Sequence, residues 1–329
     1  MQTTLVRTVV AAAACVAAVS LAARDARAQA AADYPSQPVR VLVGFTAGGG
    51  PDVLARAVTA QLSVDLGRQF YVENQGGANG TLAIGTVVKA EPNGYTLLFA
   101  SGSISPVPFV YKSLRYDILR DLAPIATIGV LDGLLMLVHP EMPVRTVAQF
   151  IAYAKANRLV YGSPGVGNSL HLATEIFKKK AGVELDHVPF RGAGDVAVAL
   201  LSRAIHVMFV TPPSVLGMVE GNELRALALT GTKPFPQLPD VPLMQDQIPG
   251  YPATGSWGMF LAPSGTPGEI IARLNAAVRH AVRQPAVANV VQRAGYIPDE
   301  RSPAETAAFF RAEVDAAGVA VAIAGIKPN

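Results

Sequence analysis

Val41-Leu42-Val43-Gly44-Phe45-Thr46-Ala47-Gly48-Gly49-Gly50-Pro51-Asp52 runs from an apolar strand, through glycines, into the start of a helix. The same arrangement recurs in Tyr161-Gly162-Ser163-Pro164-Gly165-Val166-Gly167-Asn168-Ser169 and in Val188-Pro189-Phe190-Arg191-Gly192-Ala193-Gly194. Outward from these turns, short runs rich in Val, Ile, Leu, Tyr and Phe alternate with segments of helical period, which is the pattern of parallel-sheet α/β folding. The expected strands are Val39–Phe45, Phe70–Glu73, Thr96–Ala100, Leu134–Val138, Val160–Ser163, His187–Phe190, His206–Val210, Arg225–Thr230 and Gly258–Ala262. Ile270, Leu274, Val278 and Val282 recur every four residues and give a helix one apolar face. Thr266-Pro267-Gly268-Glu269 and Ser302-Pro303-Ala304-Glu305 both read as capping boxes with proline at the first helical position. The Pro-rich stretch Lys233–Pro242 is too short for a free linker and is expected to be an ordered loop.

With 329 residues, 27 Lys+Arg against 24 Asp+Glu and only 16 % charged residues, the chain is neither a charge-driven nucleic-acid binder nor a disordered chain. Its length suits two moderate domains. A basic start through Arg7, an uncharged apolar run from Thr8 to Ala23 and the small-x-small sites Ala26-Arg27-Ala28 and Ala28-Gln29-Ala30 form a secretory signal. Residues 1–28 are therefore expected to be a cleaved signal peptide. Cleavage removes Cys15, the single cysteine, together with three arginines and one aspartate, leaving a net charge of +1. An exported, cysteine-free chain of two-domain length fits the periplasm of a Gram-negative bacterium.

A helix N-terminus leaves backbone N–H groups unpaired and carries partial positive charge, and glycine lets an anion approach that backbone, so such loops can hold a carboxylate without a lysine. Glycines at strand-to-helix turns also belong to α/β proteins in general, and each loop alone carries either reading. Neither Gly48-Gly49-Gly50 nor Gly165-Val166-Gly167 completes a dinucleotide fingerprint, and no P-loop lysine follows. The histidines (His139, His171, His187, His206, His280) lack metal-ligand spacing, and there is no Gly-x-Ser-x-Gly. Neither cofactor nor metal is expected. Ser169 and His171 could form a nucleophile and base pair with Asp52 or Asp195, or be a helix-start serine beside a packing histidine. Arg191 could pair with an anionic ligand or be solvated, and Trp257 could be core or cleft wall.

In order along the chain, Phe45-Thr46-Ala47-Gly48-Gly49-Gly50-Pro51-Asp52, Val72-Glu73-Asn74, Asn93-Gly94-Tyr95-Thr96-Leu97-Leu98, Tyr161-Gly162-Ser163, His187-Val188-Pro189-Phe190-Arg191-Gly192, Leu224-Arg225-Ala226-Leu227-Ala228 and Leu238-Pro239-Asp240-Val241-Pro242 resemble the extracytoplasmic solute receptors of tripartite tricarboxylate transporters, the TctC/Bug family. The resemblance implies a periplasmic binding protein fold of type II, two α/β domains with a ligand cleft between them. It places chain crossings near Leu131–Leu135 and Thr254–Trp257, so residues 33–132 plus 256–329 form one domain and 133–255 the other. Carried over by position, the ligand contacts are Phe45, Ala47, Gly48, Gly49 and Asp52 on one side and Ser163, Gly167, Asn168, Ser169 and Arg191 on the other, with Asn79, Thr81, Ser101 and Ser103 as further candidates.

Thr46 stands where the family usually has proline, and Val210-Thr211 where an acidic residue is frequent. Without that carboxylate a ligand ammonium has no obvious counter-charge, so a dicarboxylate or aromatic carboxylate is favoured over an amino acid. The expected function is capture of a small organic acid and its delivery to the membrane subunits of such a transporter, or of its signal to a membrane sensor. A monomer that binds no nucleic acid is expected. The rival is an exported α/β hydrolase or lyase built on Ser169 and His171.

Overall fold

A computed structural model of the protein describes residues 33–328, and the expected signal peptide lies outside the described residues. The strands in chain order are β1 Val39–Val43, β2 Phe70–Asn74, β3 Thr96–Ser101, β4 Leu122–Leu131, β5 Leu135–Val138, β6 Leu159–Ser163, β7 Leu185–Pro189, β8 Val207–Val210, β9 Arg225–Leu229 and β10 Ser256–Pro263. The longer helices are α1 Gly50–Leu66, α2 Thr81–Val88, α3 Val147–Ala156, α4 Ser169–Ala181, α5 Ala193–Leu201, α6 Gly268–Arg283, α7 Pro285–Arg293 and α8 Pro303–Ala324.

Val39, Val41, Leu42 and Val43 of β1 are buried because the strand runs between two parallel neighbours, β2 and β3, with helices over its faces. The first sheet has the order β2-β1-β3-β10-β4 and the second β7-β6-β8-β5-β9. In each, three parallel strands are extended by a strand that runs antiparallel to its neighbours: β10 between β3 and β4, and β5 between β8 and β9. Such mixed sheets, fed by short strand-to-helix turns, put several helix N-termini at one end of the strands.

The strands expected from sequence all form, with ends shifted by one or two residues. β4 is the strand that the sequence does not announce. Its residues, Leu-Ala-Pro-Ile-Ala-Thr-Ile-Gly-Val-Leu, show no alternation and include Pro and Gly, and pairing with β10 along the whole strand makes it extended. Ile270, Leu274, Val278 and Val282 of α6 are buried as one face. Ser302 caps α8 as expected, accepting from Glu305 N–H while the Glu305 carboxylate accepts from Ser302 N–H at 2.9 Å. The Thr266 box does not form. Thr266 Oγ1 instead donates to the Pro263 carbonyl at 2.7 Å, closing the turn out of β10, and Pro267 takes the N-cap position. Lys233–Pro242 is ordered by Phe235, which pairs with Leu238 and is buried. Among the described residues no helix is long and apolar enough to cross a membrane.

The chain leaves the first sheet through residues 132–134 and returns through 254–255, and the two passages are tied together. Thr230 Oγ1 donates to the Thr254 carbonyl and accepts from both Leu134 N–H and Thr254 Oγ1, each at 2.8 Å. The Asp132 carboxylate accepts from Thr232 N–H at 2.9 Å and from its hydroxyl at 2.7 Å. A Cβ on Gly255 would sit 2.1 Å from the Leu131 carbonyl oxygen, so only glycine lets the passages touch. Gly255→Ala should therefore destabilise by about 1–3 kcal/mol through forced backbone movement, whereas Gly268→Ala, with nothing within 4 Å of the new methyl, should be neutral or stabilise by about 0.5 kcal/mol. Urea unfolding of both variants checks the contrast.

Candidate functional site

Three of the longer helices begin with glycine at the cap and no capping side chain, Gly80 before α2 and two others that meet one cavity. Gly49 precedes α1 and Gly192 precedes α5, and neither offers a side-chain oxygen to the N–H groups of the following turn. The two loops face one another: a Cβ on Gly192 would lie 3.6 Å from Thr46 Oγ1. Between them lies a cavity of about 720 Å³. The first sheet's side contributes residues 45–51, Val53, Leu54, Ser101, Ser103, Ser256, Val290, Arg293, Ala294 and Tyr296, and the second contributes Pro164, Asn168, Ser169, Leu170, residues 191–195, Thr211, Pro213 and Ser214.

The first loop is shaped from below by Asp52, which is 2 % exposed. Its carboxylate accepts from Gly48 N–H at 2.8 Å, Arg56 Nε at 3.0 Å and Asn74 Nδ2 at 2.9 Å, and Asn74 Nδ2 also donates to the Phe45 carbonyl at 3.0 Å. Burial alone would push the acid up, yet the Arg56, Gly48 and Asn74 bonds hold it below the ordinary carboxylate range. Gly48 itself sits at φ +79°, where a side chain would be strained.

The wall formed by residues 163–168 is braced from behind. Ser163, fully buried, shares a 2.7 Å hydrogen bond with His187 Nε2, and Gly167 N–H points to His171 Nδ1 at 3.4 Å. The two imidazoles lie 4.5 Å apart, with Tyr161 stacked 4.7 Å from His187. Tyr161 in turn donates to Glu175, which also accepts from Lys178 at 2.9 Å. Burial first, then the neighbouring His187, pushes the His171 pKa down to about 4 despite Glu175. Burial and Lys178, opposed by Glu175, lower that of His187.

Across the cleft, Asn168 Nδ2 donates to Asn79 Oδ1 at 3.1 Å, while Asn79 Nδ2 donates to the Ser103 carbonyl at 2.8 Å and reaches the Gly167 carbonyl at 3.5 Å. Asn79 is in the left-handed region, φ 56°, which turns its amide toward the opposite wall. A Cβ on Gly167 would lie 2.6 Å from Val110 Cγ1, so the loop rests directly on the first unit.

Of the residues expected from sequence, Phe45, Ala47, Gly48, Gly49, Ser101, Ser103, Asn168, Ser169 and Arg191 line the cavity. Asp52, Asn79, Thr81, Ser163 and Gly167 do not: Asp52 and Ser163 support the loops, Asn79 and Gly167 meet each other, and Thr81 opens α2 with its carbonyl accepting from the Tyr116 hydroxyl. His171 takes the Gly167 N–H behind the wall, and Asp52 is engaged by Arg56, so the Ser169 and His171 constellation is not assembled as a triad with Asp52. Sequence reasoning weighed Thr211 only as the place of an absent acid, and missed Ser256, Ser214 and the α7 end with Arg293 and Tyr296, because nothing in an amphipathic helix tells which of its ends abuts a cleft. Trp257 is core, 1 % exposed. Among the described residues no group of three or more His, Cys, Asp or Glu side chains is placed to hold a metal.

A family model described as tripartite tricarboxylate transporter family receptor matches residues 54–325. The protein BugT of Bordetella pertussis is 30 % identical over 288 residues, covering 85 % of this chain and 87 % of BugT. Among solved structures, R. palustris Rpa4515 with adipate superposes with a TM-score of 0.84 at 32 % identity, covering 90 % of this chain and all of that one. MatC (Rpa3494) from Rhodopseudomonas palustris with bound malate gives 0.81 at 28 % identity, over 88 % of this chain and all of that one.

Two outcomes follow from the braces. An unfolded histidine titrates near 6.5, so between about 6.5 and 4 the unfolded chain binds more protons than the folded one and stability falls as pH falls. Lowering pH from 7.5 to 5 should cost about 2 kcal/mol through His171, and His171→Gln should flatten that slope in urea titrations. Asn79→Ala should weaken every ligand by one common factor of about 3 to 10, the value of the lost cross-cleft hydrogen bonds, in calorimetric titrations.

Proposed function

The chain belongs to the tripartite tricarboxylate transporter receptor family, and from that premise we propose that it is an exported receptor which encloses a small organic acid between its two domains and presents the closed form to the membrane subunits of such a transporter. The domains are residues 33–132 with 256–329, and 133–255. Residues 1–28 direct export and are removed, and the receptor acts as a monomer in the periplasm.

The observation that carries the reading is the pair of uncapped helix N-termini, at Gly49 and Gly192, that meet one cavity from opposite sheets. Their open N–H groups suit a carboxylate oxygen, and a ligand held by both walls stabilises the closed form. The charged side chains in the wall are Arg191, Arg293 and Asp195, a cationic excess that suits an acid. Thr211, at the position where an acid would serve an ammonium group, is also in the wall, with its hydroxyl on Ser214 at 2.8 Å. That supports an acid lacking an amino group, in keeping with adipate and malate in the two Rhodopseudomonas proteins.

The test is thermal unfolding against dicarboxylates, tricarboxylates, aromatic carboxylates and amino acids. An acid at a hundredfold over its Kd should add about 2.7 kcal/mol and raise the midpoint by several degrees, with amino acids silent. A flat panel, with no acid released from the denatured protein by mass spectrometry, overturns the reading.

A further inference from the structure

The arginines near α7 divide into two kinds. Arg279 and Arg283 of α6 both reach Glu300, and Arg301 pairs with Asp299. Arg293, in the last turn of α7, has no carboxylate partner among the described residues and instead lines the cavity. Arg191, on the loop that caps α5, is likewise without a carboxylate partner among the described residues and lines the same cavity from the other sheet. The carbonyls at the end of a helix favour a cation in its last turn, which accounts for an arginine there but leaves its guanidinium free to bind outward.

The open backbone N–H groups of the first turns after Gly49 and Gly192 suffice for one carboxylate, so a cation at the α7 end of the wall is surplus to a ligand with a single acid group. A guanidinium offers a planar donor fork that matches a carboxylate in two bonds. Ser256 and Tyr296, and Thr211 with Ser214, add hydroxyls to the same wall.

We propose that Arg293 is the specificity-determining residue of the cleft: it takes the distal acid group of a dianionic ligand whose first carboxylate sits on the glycine-capped helix ends. The inference rests on the reading of the cavity as a carboxylate site. Arg293 then sets the preference for diacids over monoacids, while the loops set affinity for the shared carboxylate.

The experiment is calorimetric titration of the protein with succinate, glutarate, adipate and pimelate, each beside the monoacid of equal chain length. Wild type should favour at least one diacid over its monoacid by about tenfold or more. Arg293→Gln should erase that preference by weakening the diacid, leave the monoacid within about twofold, and lower the unliganded melting midpoint by no more than about 2–3 °C, the loss of a cation at a helix C-terminus, and Arg293→Lys should keep part of the preference. Equal weakening of diacid and monoacid, or an unchanged diacid affinity in Arg293→Gln, overturns the assignment while leaving the carboxylate reading standing. If wild type binds none of the acids, the carboxylate reading itself falls and the assignment falls with it.

Discussion

One buried hydroxyl, Thr230 Oγ1, joins the two passages by which the chain leaves and re-enters the first sheet, accepting from Leu134 N–H and donating to the Thr254 carbonyl. The geometry around it follows from β10, which has to return from the second sheet to lie between β3 and β4. Two chain segments pass each other where the sheets meet, and Gly255 lets them pass at backbone contact. Any relative motion of the sheets is concentrated at these few residues, because the elements on either side are held by full strand ladders. The glycine-capped helix ends face each other because both hang from sheets anchored at this one place.

The open N–H groups of the cavity have a structural consequence of their own. A helix started by serine or asparagine carries its own cap, as α4 does with Asn168, but a helix started by glycine needs its loop fixed by something else. For α1 that is the Asp52 carboxylate, bonded to Gly48 N–H and clamped by Arg56 and Asn74. Behind the second wall, the neutral His171 and His187 do comparable work through Gly167 and Ser163. The polar side chains with the best-satisfied hydrogen bonds therefore stand one layer behind the cavity, and the wall itself presents backbone, hydroxyls, the Asn168 amide, Asp195 and the two arginines.

This layering decides what the sequence could reveal. Val39–Val43, Thr96–Ser101 and the apolar face at Ile270, Leu274, Val278 and Val282 are legible because their burial is written in local composition. β4 is not, since Pro124 and Gly129 carry no strand signal and the strand exists through a partner more than a hundred residues away. The glycine turns point to the right region of the cleft, yet residue type alone does not separate wall from brace: Ser163 and Ser169 sit six residues apart, one behind the wall and one in it. Arg293 is illegible for a different reason. An arginine in the last turn of a helix is good helix chemistry anywhere, and only the tertiary packing of α7 at the cleft makes it part of a site.

The two walls touch at the Asn79 and Asn168 amides, at Val110 against Gly167, at Thr46 against Gly192, at Gly295 against Pro213 and Phe235, and at Leu172 with Val321 beneath them. In the empty protein these contacts stand against the freedom lost when the walls come together. A ligand shifts that balance only by what it gains in the closed form and lacks in the open one. An acid group resting on one helix end gains little, because that wall is present in both forms. On the proposed reading, a dianion with its first carboxylate between the helix ends after Gly49 and Gly192 and its second on Arg293 takes contacts from both walls, and only those it lacks in the open form favour closing.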